Sequence, residues 1–215
     1  MLPITNKNIA FIHIPRTAGS YVNSYLASIL HKKSYKILNS WQLLNRDWNK
    51  EELLSFLKPD IHLKYVHNHL ENWKSETFYE YKKNNWFIFS FIRHPGDQLC
   101  SIYYYWKIYK EEFNLTLDEF IKESVLNPII NAIIPAFWRD LNFIAEFNHK
   151  NFKEFLKKYF NQDYVPEKIR LPSRSKGYSY YCKHKIISLE TQKILKNSEQ
   201  HKIFLEIKKR KIECE

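Results

Sequence analysis

"IAFIHIPRTAGSYVNSYLASIL", residues 9–30, combines an apolar run, a polar loop and an amphipathic segment. Its first six residues, 9–14, form a short apolar run that ends at Pro15, which is typical of a buried β-strand. Over residues 20–30 the apolar positions recur at helical spacing, and Ser20 is available to cap the helix. The stretch therefore predicts a strand, a tight loop and a helix.

A second unit of the same kind follows at residues 86–112. The apolar run WFIFSFI predicts a buried strand over 86–92, and a helix is expected over 97–112 with Asp97 as its cap. Further strands are expected over 61–69 and 142–147, and further helices over 41–57, 116–124, 152–160 and 191–208. Apolar strands that alternate with helices favour an α/β fold, with a central parallel sheet flanked by helices.

The length and the amino-acid composition are those of one globular domain over residues 1–215, and the sequence contains no repeats or linkers. A formal net charge of +11 allows an anionic partner, but the lysines are scattered and no nucleic-acid-binding motif accompanies them. Cys100, Cys182 and Cys214 form no C-x-x-C pair, so neither a disulfide framework nor a zinc site is expected. No apolar run is long enough to span a membrane and no secretory signal is recognisable, so we expect a cytoplasmic protein.

The chain has only three glycines, Gly19, Gly96 and Gly177, and each lies within three positions of a basic residue. A loop of this kind between a strand and a helix offers an anion backbone N–H donors, a helix N-terminus and a cation. The alternative is that the glycines simply make turns. Because the first two loops each follow a buried strand and open a helix, we favour a site for a ligand with two anionic groups.

Two motifs resemble those of sulfotransferases. FIHIPRTAGS (residues 11–20) is similar to their 5′-phosphosulfate loop, and FIRHPGDQLCSIYYYW (residues 91–106) is similar to their 3′-phosphate motif. Arg93, Pro95 and Ser101 stand at the Arg, Pro and Ser positions of that motif. LDEFI (117–121) and LNFIAEFNHKNFKEFL (141–156) also resemble segments of carbohydrate, heparan-type sulfotransferases, so the likeness covers most of the chain.

This resemblance implies a P-loop-like α/β sulfotransferase fold and 3′-phosphoadenosine 5′-phosphosulfate as the sulfuryl donor, with no metal. By position, the 5′-phosphosulfate would be held by Pro15, Arg16, Thr17, Ala18, Gly19 and Ser20. Arg93 and Ser101 would hold the 3′-phosphate. In the third glycine loop, Ser173, Arg174, Lys176 and Gly177 are candidates to close over the nucleotide, the alternative being a basic surface loop.

Two positions depart from the family pattern. Arg16 replaces the usual Lys, and an Arg fork clamps two oxygens rather than acting as a point charge on one bridging oxygen. Asn148 stands where the family usually has Glu.

Sulfuryl transfer also needs a base for the acceptor hydroxyl. His67 and His69 lie at the end of an expected strand, where alternation places them on one face. The resemblance to glycan 2-O-sulfotransferases implies His69 as the base, assisted by His67, with Glu71 in reserve and Arg16 stabilising the leaving group. The alternative is an ordinary hydrogen-bonded strand end.

The function expected from the sequence is transfer of a sulfuryl group to a hydroxyl of an acceptor, with a carbohydrate favoured and nucleic acid not expected. A P-loop kinase is disfavoured because the loop has one glycine and lacks the Gly-Lys-Ser/Thr ending. A non-catalytic nucleotide- or glycan-binding relative is the other alternative, and measured turnover separates it from an enzyme.

Overall fold

The structure, a computed structural model, describes residues 7–33, 35–39, 64–69, 75–109, 113–127, 134–163 and 176–210. Within these ranges five parallel strands form one sheet in the order β2-β3-β1-β4-β5. The strands are β1 (Ile9–His13), β2 (Lys36–Asn39), β3 (Lys64–His69), β4 (Phe87–Ile92) and β5 (Phe143–Glu146). The parallel α/β fold expected from the sequence is confirmed.

Helices cover both faces of this sheet. They are α1 (Gly19–Lys32), α2 (Ser75–Lys83), α3 (Pro95–Tyr109), α4 (Leu117–Leu126), α5 (His149–Phe160), α6 (Tyr178–Lys183), α7 (Leu189–Asn197) and α8 (Glu199–Lys209), with a short 3₁₀ turn at Trp138–Asp140. The expected helix over 41–57 lies outside the described residues, as do positions 61–63 of the expected third strand.

Alternation along the strands sends neighbouring side chains into two separate cores. Ile9 and Phe11 of β1 pack with α1 and α5, where Phe89 stacks on Phe11 at 4.9 Å between ring centroids. Ala10 and Ile12 point to the other face and join the core formed with α2, α3, α4 and the C-terminal helices. Because both faces are covered, β1 and β4 are buried along their whole length and read as continuous apolar runs.

Three expected helix boundaries are wrong. Ser20 does not cap α1; it is the second helical residue, and the carbonyl of Ala18 accepts from the amides at 21 and 22. Asp97 does not cap α3, which begins two residues earlier, with the His94 carbonyl accepting from the Gln98 amide. The single helix expected over 191–208 is two helices, because the Ser198 hydroxyl caps α8 by accepting from the amide of residue 201.

The order of the strands places the first two glycine loops side by side. β1 pairs with both β3 and β4, so the chain builds one half of the sheet on one side of β1 and then crosses to the other. The loops after β1 and β4 leave neighbouring carboxyl ends at this switch point. In open parallel sheets, ligands bind in the crevice at such a point.

Candidate active site

The loop between β1 and α1 has an unusual backbone. Arg16 and Ala18 both adopt left-handed conformations, with φ of 63° and 64°. The buried Thr17 between them donates its hydroxyl to the Ile14 carbonyl at 2.6 Å. This tight fold leads into α1, where the amides of Gly19 and Ser20 have no intrahelical acceptor by the geometry of a helix end. The loop therefore presents backbone donors and the positive end of α1, as an anion-binding loop requires.

Gly19 is needed for close approach, not for an unusual dihedral. A Cβ on this residue would overlap the imidazole of His13, which is buried and stacks on Phe11. The first helical residue therefore sits directly on the end of β1. In this loop the positive φ values are found at Arg16 and Ala18.

The two motifs are joined by a direct contact. The Nε of Arg16 donates to the Oγ of Ser101 at 3.0 Å, although the two residues are 85 positions apart in the chain. The Arg16 guanidinium also lies over the ring of Tyr105, with Cζ 5.2 Å from its centroid. Ser101 and Tyr105 are one turn apart on α3, so this helix orients the cation of the loop.

A third contact from α3 holds the backbone of the same loop. Gln98 is fully buried and its Nε2 donates to the carbonyl of Pro15 at 2.8 Å. Gln98 and Ser101 are three residues apart and share one face of α3. The sequence reasoning missed Gln98, although this spacing from Ser101 could have indicated it.

Arg93 is half-buried in the turn that opens α3. In the same turn the Gly96 amide donates to the Nδ1 of His94 at 3.2 Å. Burial lowers the pKa of His94, and the nearby charges of Lys208 and Arg93 act in the same direction. Burial likewise raises the pKa of the Cys100 thiol to about 12, while the charge of Arg93 opposes this shift. Arg93 therefore lies near both His94 and Cys100, the residue before Ser101.

The loop that contains Gly177 contacts the turn that contains Gly96 through a backbone amide. The amide of Tyr178 donates to Oδ1 of Asp97 at 2.6 Å, and Gly177 takes a left-handed φ of 87° beside that carboxylate. The Tyr178 ring fills the space against Gly96, which a Cβ there would occupy. The side chain of Lys176 extends towards α6, with Nζ 3.4 Å from the Tyr180 hydroxyl. Ser173 and Arg174 lie outside the described residues.

The structure describes the backbones of His67 and His69 but not their side chains. In the parallel ladder His69 is the register partner of His13, and His67 is the partner of Phe11. His69 is thus the last residue of β3, at the sheet edge where the loop after β1 begins. Glu71 lies outside the described residues.

The model of the sulfotransferase family matches residues 4–205 of the chain. The chain belongs to the sulfotransferase family. The matched region contains both β1 with its loop and the Arg93–Ser101 motif, and the expected membership of the sulfotransferase family is confirmed. No curated protein and no solved structure shows a significant match to this family member.

Among the described residues, no group of three or more His, Cys, Asp or Glu side chains could hold a metal ion. Within the same part of this sulfotransferase, no helix has the length and apolar character needed to cross a bilayer.

Proposed function

We propose that residues 1–215 form one catalytic domain that transfers a sulfuryl group from 3′-phosphoadenosine 5′-phosphosulfate to a hydroxyl of a carbohydrate. Sulfuryl transfer in general follows from the family. The choice of donor rests on one observation, the 3.0 Å hydrogen bond between Arg16 and Ser101. This hydrogen bond brings the two proposed anion-binding elements together, which suits a ligand phosphorylated at both ends of one ribose.

The residues present fit this donor at both ends. At the 5′ end, the loop of Arg16 supplies a guanidinium and the N-terminal amides of α1. At the 3′ end, Arg93 lies in the turn before α3, and the hydroxyl of Ser101 lies within that helix. The Ser101 oxygen already accepts from Arg16, so its own proton remains to be donated to a phosphate oxygen.

In the reaction we propose, the bond between sulfur and the 5′-phosphate oxygen breaks as a bond to the acceptor oxygen forms. Arg16 stabilises the negative charge that develops on the departing phosphate oxygen. Its guanidinium is held by Ser101 and Tyr105, so little reorganisation is needed when that charge appears. The proton of the acceptor hydroxyl passes to His69, with His67 assisting.

The position of His69 in the sheet supports this assignment. It ends β3 beside His13, and the loop that carries Arg16 begins two residues after His13, past Ile14. A base at this edge is on the sulfuryl side of the donor and away from the 3′-phosphate motif, which follows β4 on the far side of β1.

A carbohydrate acceptor is supported by the surface beside Arg16. Tyr105 and Tyr109 lie one turn apart on α3 with ring centroids 4.6 Å apart, and their residues are 44% and 61% exposed. Exposed aromatic rings next to a sulfuryl site provide faces on which a sugar ring can stack. The net charge of +11 also favours an acidic glycan over a neutral one.

A transfer assay with radiolabelled donor and a panel of glycans tests this proposal. We expect the wild type to label a glycan without added metal and in the presence of a chelator. His69→Ala is expected to abolish transfer while adenosine 3′,5′-bisphosphate still binds, and His149→Ala, which changes an exposed histidine of α5, serves as the matched control. Unchanged turnover in His69→Ala rejects the base, and loss of turnover with chelator rejects metal-free transfer.

A further inference from the structure

Gln98 is a buried polar residue of α3 that makes one hydrogen bond and leaves one acceptor unpaired. Its side chain is completely buried, and its Nε2 donates to the Pro15 carbonyl across 83 positions of sequence. Its Oε1 is also buried, yet it has no hydrogen-bond partner among the described residues. An unsatisfied buried acceptor destabilises a fold, so the amide at position 98 has a cost that its single hydrogen bond to Pro15 must offset.

The hydrogen bond acts on the peptide that leads into the anion-binding loop. In a trans peptide the carbonyl and the following N–H point in opposite directions. Since the Pro15 carbonyl is directed at Gln98, the Arg16 N–H points away from α3. The same peptide sets the starting direction for Arg16, whose φ of 63° an L-residue adopts only when its surroundings hold it there.

We propose that Gln98 is a positioning residue for the 5′ end of the donor site. It fixes the Pro15–Arg16 peptide from one turn of α3, while Ser101 fixes the Arg16 side chain from the next. Because both hydrogen bonds come from α3, this one helix fixes the position of the loop after β1 relative to the 3′-phosphate motif. This inference rests on the proposed donor for its ligand, but the effect of Gln98 on the loop does not depend on the ligand.

The test is Gln98→Met, which keeps the length of the side chain and removes both amide atoms. The matched control is Gln192→Met on α7, where Nε2 also donates to a backbone carbonyl, that of Ile187, at 3.0 Å. Three quantities are compared with the wild type: the melting temperature, the backbone amide NMR shift of Arg16 without ligand, and the Kd values of adenosine 5′-phosphate and adenosine 3′-phosphate.

We expect Gln98→Met to melt close to the wild type, because it removes the unsatisfied Oε1 but leaves the Pro15 carbonyl without its donor. It should also shift the Arg16 amide. Its affinity for adenosine 5′-phosphate should fall about tenfold, which corresponds to the free energy of about one hydrogen bond. Its affinity for adenosine 3′-phosphate should change less than about twofold. Gln192→Met should leave the Arg16 amide and both Kd values unchanged.

A lower melting temperature with equal losses for both nucleotides would show a merely structural role and overturn the inference. An unchanged Arg16 amide would overturn it as well. If the wild type binds neither nucleotide while the Arg16 amide still shifts in Gln98→Met, the proposed donor is wrong and the positioning role of Gln98 stands.

Discussion

Gly19→Ala is the substitution whose effect can be worked out most directly. The new Cβ would overlap three ring atoms of His13, and the ring has little room to move because it is 7% exposed and stacks on Phe11 at 6.0 Å. Relieving such an overlap costs about 1–3 kcal/mol. Replacing a helical glycine by alanine returns about 0.5–1 kcal/mol. We expect a net loss of about 1–2 kcal/mol, or about 2–8 °C in melting temperature for a chain of this size.

Thermal and denaturant unfolding of four proteins measure this effect: the wild type, Gly19→Ala, His13→Ala and the double variant. In the His13→Ala background the Cβ at Gly19 meets no ring, so the cost of Gly19→Ala should disappear. Ser20→Ala changes the exposed neighbour in the same helical turn and should stay within about 0.5 kcal/mol of the wild type. The reasoning is refuted if Gly19→Ala is as stable as the wild type, or if it costs as much without the His13 ring.

Three further predictions concern the groups that surround the loop. Asp97→Ala removes the acceptor for the Tyr178 amide and should speed hydrogen exchange in α6, whereas Asp97→Asn keeps an acceptor and should exchange more like the wild type; equal rates in both variants would contradict this role. Tyr105→Leu removes the ring under the Arg16 guanidinium and should lower kcat more than it raises the Kd for adenosine 3′,5′-bisphosphate; an unchanged kcat would show that the ring does not orient the cation. Burial lowers the pKa of His94 below 6.5, so the unfolded chain binds the proton first and the free energy of unfolding should fall as the pH drops below about 6.5 towards that lowered pKa. His94→Asn should flatten this dependence in melting curves recorded between about pH 5 and 8, and a dependence as steep as that of the wild type would assign it to other groups.

The fold was predictable because each strand and helix is indicated by the pattern of apolar residues within its own segment. Unbroken apolar runs predict strands buried on both faces, and β1 and β4 are strands of that kind. Helix ends were less predictable because several residue types can cap a helix and tertiary partners decide among them. Asp97 is a favourable cap by its chemistry, but its carboxylate binds the Tyr178 amide instead. Ser198, read as an interior helical residue, caps α8 and divides the last helix in two.

The site was predictable only as a set of motifs. The spacing of Arg93 and Ser101 carried the resemblance, and the strand order then placed the loop after β1 beside them. The contacts that hold the loop involve residues distant in sequence, such as Gln98 with Pro15, and a linear pattern does not encode them. The left-handed conformations of Arg16 and Ala18 were likewise hidden, since glycine is the usual residue for such angles.

In the proposed enzyme, the loop after β1 and the Arg93–Ser101 motif hold opposite ends of one nucleotide. Calorimetric titration of the wild type with adenosine 3′,5′-bisphosphate, each monophosphate and adenosine tests this arrangement most directly. The account predicts one site per chain, with the bisphosphate bound at least about tenfold more tightly than either monophosphate, and adenosine weakest. Equal affinity for all four compounds, or no binding of the bisphosphate, would contradict it.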